Sequence, residues 1–96
     1  MAKTKVLNTF TAGVEQFLVQ NAGVSNVIIS NITTVNVKAS VRIGLQEGNA
    51  YLVKNAVIPV GTSLLALDNQ LLQTASSKIS VETDTTSGVE VVYTAL

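Results

Sequence analysis

Apolar and polar residues alternate most regularly over residues 35–45, where Val35, Val37, Ala39, Val41, Ile43 and Leu45 are separated by Asn36, Lys38, Ser40, Arg42 and Gly44. A period of two sends successive side chains to opposite faces of an extended chain, so this segment predicts a strand with one wet face. The same period returns over residues 78–83 and 89–94, which predict two more strands. Residues 24–30 differ, because Val27-Ile28-Ile29 puts apolar side chains on both faces. Such a strand is expected to be central, or covered on its outer face by a second chain. Residues 51–58 have the same character and end at the Pro59-Val60-Gly61 turn; shorter strand candidates are residues 6–10, 17–19, 63–67 and 71–73.

Turn-forming residues punctuate these segments at Ala12-Gly13, Ala22-Gly23, Glu47-Gly48-Asn49, Pro59 to Gly61, Asp68-Asn69-Gln70, Ala75-Ser76-Ser77 and Thr86-Ser87-Gly88. That spacing is what a β-sandwich requires. No segment carries helical periodicity; the leucine-rich stretch 64–72 is interrupted by Asp68-Asn69, a better turn than helix interior. Seven or eight short strands in 96 residues predict an all-β chain, a two-sheet antiparallel β-sandwich of jelly-roll or immunoglobulin-like type. Residues 14–96 are expected to form one sandwich domain, and residues 1–13 an N-terminal arm or edge strand that orders on a neighbour. The expected core contains Val37, Ala39, Val41, Ile43, Ile79, Val81, Val89, Val91 and Tyr93, with Phe17 joining it and Lys38, Arg42, Glu82 and Glu90 outside.

Composition narrows the function. The chain has no histidine and no cysteine, which removes the usual neutral-pH general base, thiol nucleophiles and the commonest zinc ligands. A non-enzymatic protein without a cofactor is therefore expected. Six basic residues balance six acidic ones, so neither nucleic acid nor an anionic membrane is favoured as a partner. Only 12% of residues are charged and the mean hydropathy is +0.42, which implies that part of the surface is normally covered. The N-terminal residues lack the apolar stretch of a secretory signal, and no apolar run is long enough to span a membrane. Charge is divided along the chain, with a balance of +3 over residues 1–54 and −3 over residues 55–96.

Few residues suggest chemistry. Glu82, Asp84 and Glu90 surround the Thr85 to Gly88 loop, and a hairpin there would gather their oxygens into a calcium site, although the spacing matches no EF-hand. Solvated carboxylates on an exposed face are the commoner outcome. Ser77-Lys78 resembles a serine–lysine dyad, but neighbours on a strand point to opposite faces. Asn31-Ile32-Thr33 satisfies the glycosylation pattern by chance in a chain without a secretory signal. Aromatic residues are limited to Phe10, Phe17, Tyr51 and Tyr93, and of these Tyr51 is the one weighed as a sugar or partner contact.

The order of features from Phe17 onward resembles small structural proteins of tailed-bacteriophage virions. The similarity rests on the Phe17 to Gly23 segment running into an Ala-Gly turn, on Val27-Ile28-Ile29-Ser30-Asn31-Ile32 followed by the long alternating strand, and on Tyr51 to Pro59 leading into Gly61 to Leu67. It continues through Lys78 to Thr83 and the closing strand at Val89 to Tyr93. Asn21 stands where a proline often precedes the Ala-Gly turn. The resemblance implies a β-sandwich subunit of the capsid surface, neck, tail or fibres, made in the host bacterial cytoplasm and located in the virion. It names no catalytic residues. The expected partners are other phage structural proteins and further copies of the chain, with a trimer expected because such sites are commonly threefold; Val27, Ile29, Leu64, Leu65 and Tyr51 are the interface candidates. The alternative is a carbohydrate-binding module for host attachment, using Tyr51 and the loop carboxylates.

Overall fold

The computed structural model describes residues 3–18, 24–45, 48–67, 78–86 and 88–95. These contain eight strands and no helix: β1 (Lys3–Leu7), β2 (Gln16–Phe17), β3 (Val24–Asn31), β4 (Val37–Leu45), β5 (Gly48–Ile58), β6 (Ser63–Leu67), β7 (Lys78–Thr83) and β8 (Val89–Ala95). They form two antiparallel four-stranded sheets, the first in the order β1-β8-β3-β6 and the second in the order β2-β7-β4-β5. This is the two-sheet sandwich that the alternation predicts. The expected strand at 71–73, Ser77, Glu47, and the breaks at Ala22-Gly23, Asp68-Asn69-Gln70 and Ala75-Ser76-Ser77 lie outside the described residues.

The core lies between the sheets. From the first sheet it takes Val24, Val27, Ile29, Leu67, Val89, Val91, Tyr93 and Ala95, and from the second Val37, Ala39, Val41, Ile43, Ile58, Ile79 and Val81. Every core position expected on β4, β7 and β8 is buried, because a pleated strand with one apolar face can hide that face only against another sheet.

Several expectations are corrected by the pairing. Val27 and Ile29 are completely buried, so neither has a surface to offer a partner; the outward residue of the trio is Ile28. Phe17 is exposed, since its partner in the register is Ser80 on an outward level of β7. Val35 is exposed in a turn, and the alternation becomes a strand only from Val37. β5 is an edge strand rather than a central one. Its eleven residues run against nine of β4, and the surplus is taken up by register shifts opposite Ala39–Val41 and Val41–Arg42. Of the two forms expected for the N-terminal residues the edge strand is the one present: β1 pairs with β8 of the same chain, and Phe10 is buried in the core.

One end of the sandwich is sealed by Asn31. Its Nδ2 donates to the Val35 and Ile58 carbonyls, both at 2.8 Å, while its Oδ1 accepts from the Thr33 amide and hydroxyl at 2.9 and 2.6 Å. Both donors and both acceptor sites of the amide are thus used, which is what allows so polar a group to be buried. Gly88 packs at the same end with φ 78°, and a Cβ there would collide with Cγ2 of Thr33. No other residue suits that position.

Candidate functional site: two unlike outer faces

The pleat gives each sheet an outward face, and pairing decides what it displays. On the first sheet, Val6 lies opposite Val92, Val92 opposite Ile28, and Ile28 opposite Leu65. Four strands therefore contribute one apolar residue each to a single row across the face, with exposures of 60%, 36%, 37% and 50% in that order. The row depends on a bulge in β6, where Ala66 is the extra residue between Leu65, paired with Ile28, and Leu67, paired with Val27. Leu64 lies opposite Ile29 and packs against the core, so of the two adjacent leucines Leu65 is the one presented outward. Flanking levels are polar and mostly uncharged: Thr4, Thr94 and Asn26 on one side, Glu90, Ser30 and Ser63 on the other. The Ser30 and Ser63 hydroxyls share a hydrogen bond of 2.9 Å.

The second sheet presents a different row, Phe17–Ser80–Arg42–Tyr51. Phe17 and Tyr51 are 55% and 49% exposed at its two ends. Between them Ser80 is buried and donates a short hydrogen bond to Oε1 of Glu15, whose carboxylate also lies 4.0 Å from Arg42. The Tyr51 ring has the Lys54 ammonium 5.2 Å and the Arg42 guanidinium 6.0 Å from its centroid. Beside this row an open cleft of about 370 Å³ is lined by Ala12, Gly13, Lys38, Ser40, Glu82 and Asp84 among others. Such a face offers hydrogen-bond donors, acceptors and two flat rings, but only shallow relief.

The calcium cluster considered for Glu82, Asp84 and Glu90 does not form. β7 belongs to the second sheet and β8 to the first, so the connection between them crosses the sandwich instead of making a hairpin. Glu82 stays with Ser40 on β4 while Glu90 lies opposite Ser30 on β3, and the two carboxylates decorate different sheets. Asp84 is engaged with backbone: its Oδ1 accepts from the Lys38 amide at 2.9 Å, and its own amide donates to the Lys38 carbonyl at 3.1 Å. Among the described residues, no three acidic side chains come together to hold a metal. Asn31 of the glycosylation pattern is buried and fully bonded. The charge division along the chain is likewise undone, because Lys38, Arg42 and Lys54 share a sheet with Glu82, and Asp84 is bonded to the Lys38 backbone.

Of the four row members Leu65 alone was an interface candidate from the sequence; Val6 and Val92 were passed over, and Ile28 was passed over for its buried neighbours Val27 and Ile29. The signal was present for Val92: in Val91-Val92-Tyr93 an apolar residue occupies the outward phase, as Ile28 does within Val27-Ile28-Ile29. Compared with known proteins, the chain matches no family model, no curated protein and no solved structure.

Proposed function

We propose that the chain is a non-enzymatic structural subunit of a tailed-bacteriophage virion, binding other particle proteins as a decoration, neck, tail or fibre component. The observation that carries this reading is the exposed Val6–Val92–Ile28–Leu65 row, apolar across the whole width of a sheet. Contiguous apolar surface on a small domain marks a protein contact, and an apolar row flanked by hydroxyl and amide groups with one glutamate has the make-up of an interface centre. The lack of histidine and cysteine supports the non-enzymatic part. The order of strands and turns that resembles phage virion subunits supports the location. Quantitative mass spectrometry of purified particles tests it: the chain is expected in many copies per particle, and its absence from particles of the phage that encodes it would end the reading.

A second reading is favoured by the other face, where Phe17 and Tyr51 stand on one level with Arg42 and Ser80 between them. Exposed rings beside hydrogen-bonding groups suit the apolar faces and hydroxyls of sugars, as a carbohydrate-binding module for host attachment requires. Glycan-array binding that disappears in Tyr51→Ala would support this reading, and a blank array with the intact protein would remove it.

A further inference from the structure

We propose that the outer face of the first sheet is the contact between two copies of this chain, stacked face to face about a twofold axis lying along the Val6–Val92–Ile28–Leu65 row. The inference rests on the structural-subunit reading in one respect only: it names the partner that covers the apolar face.

The sheet edges are poor routes to self-association. β2 has two residues, β6 carries the Ala66 bulge, and β5 carries two register shifts and Asn55 in the left-handed region at φ 51°. On β1, Lys5 lies opposite the buried Tyr93 and so occupies an inward level of an edge strand. Short strands, bulges and inward charges are the devices by which edges resist further pairing. The outer face of the first sheet has no such defence. Among its described outward residues Glu90 is the single charge, and it lies one level away from the apolar row.

A second copy fits this face because the row is self-complementary. Its four residues lie on one level, so a twofold rotation about an axis along the row brings each against its own counterpart, Val92 over Val92 and Ile28 over Ile28. The same rotation exchanges the two polar levels. Glu90 of one copy then faces Thr94 of the other, and Ser30 faces Asn26, so an acceptor meets a hydroxyl and, among the described residues, no like charges meet. A ring of three would instead require two different patches to meet, and the row is one patch. Four strands about 4.8 Å apart and three outward levels about 6.8 Å apart make a plane of roughly 400 Å² per copy. That area is at the low end for a specific contact, so the pair is expected to dissociate on dilution.

Sedimentation velocity over a concentration series on the full chain tests the proposal. A monomer–dimer equilibrium is expected, and Ile28→Lys should raise its dissociation constant by about 100-fold by setting two like charges against each other, with circular dichroism unchanged. Leu65→Thr, which adds no charge, should weaken the dimer to a lesser extent, whereas Tyr51→Ala on the opposite face should leave it alone. Orientation is read by cross-linking. The chain has no cysteine, so Leu65→Cys at the rim supplies a unique thiol, and a short bismaleimide should join two such copies. A Glu82→Cys control should stay single. A wild-type monomer at every concentration, a trimer, or a dimer insensitive to Ile28→Lys overturns the proposal, as does Leu65→Cys cross-linking only to Val6→Cys in a mixture. A monomer that is nevertheless abundant in particles would overturn this inference and leave the virion reading standing; a dimer absent from particles would do the reverse.

Discussion

The two sheets share a construction and differ in what they show to their surroundings. Both bury alternate residues against each other, Leu7–Val91–Ile29–Leu64 forming one inward level of the first sheet and Val81–Val41–Val53 one of the second. Outward, the first sheet carries valine, isoleucine and leucine with threonine, serine, asparagine and a lone glutamate, whereas the second carries Lys38, Arg42 and Glu82 among Phe17, Tyr51 and Val57. A chain with few charges has concentrated them on one side. The difference teaches that low overall charge here is not spread evenly: one outer face holds most of the outward charges, and the other is crossed by an apolar row.

The largest expected effect tests the shared part of this comparison. Val41→Asp and Val91→Asp each place an unpaired charge in a fully buried site, and each is expected to cost about 3–5 kcal/mol or abolish folding. Urea denaturation measures the loss; a stable protein in either case would mean that the inward and outward faces of that sheet had been exchanged.

Asn31 joins the ends of the two sheets, since it is a β3 residue that bonds the last carbonyl of β5. Asn31→Ala is expected to cost about 2–4 kcal/mol, because several hydrogen bonds are lost and the Ile58 carbonyl is left without this donor. A change below the usual scatter of surface substitutions in the same urea assay would show that water replaces the amide. At the same end, Gly88→Ala should cost about 1–3 kcal/mol through its positive φ and the collision with Thr33. Adding Thr33→Ser removes the colliding methyl while keeping the hydroxyl, and part of the stability should return. Simple additivity of the two changes in a double-mutant cycle would assign the whole cost to backbone conformation.

The smallest effects sharpen the contrast between the faces themselves. Tyr51→Ala on the second sheet should cost about 0.5–1 kcal/mol, the worth of exposed contacts with Lys54 and Arg42. Ile28→Thr on the first should change thermal stability of the isolated chain by less than about 0.5 kcal/mol. Its effect should appear in solubility instead, with precipitation by ammonium sulfate moving to higher salt. If both faces responded alike in that assay, the division into solvated and contact sides would be lost.

The strands with a clean alternation and the inward positions of β4, β7 and β8 were legible locally, because a period of two is a property of the backbone and survives any choice of neighbour. Tyr93 and Val37, Val41, Val81, Val89 and Val91 fell inside for that reason. What the sequence could not decide was which strand lies beside which. Glu82 and Glu90 are eight positions apart yet belong to different sheets, because β7 and β8 do not pair; no local pattern encodes that separation. The same gap made β5 look central, since an edge strand with bulges and a middle strand can carry the same apolar run. Within Val27-Ile28-Ile29 the sequence determined that two faces are apolar, but only tertiary pairing decided that Val27 and Ile29 face the core and Ile28 faces out. Pairing across four strands then aligned Ile28 with Val6, Val92 and Leu65. A surface row assembled from residues this far apart in sequence exists only once long-range register is set, which is why the apolar row belongs to the fold and its strands belong to the sequence.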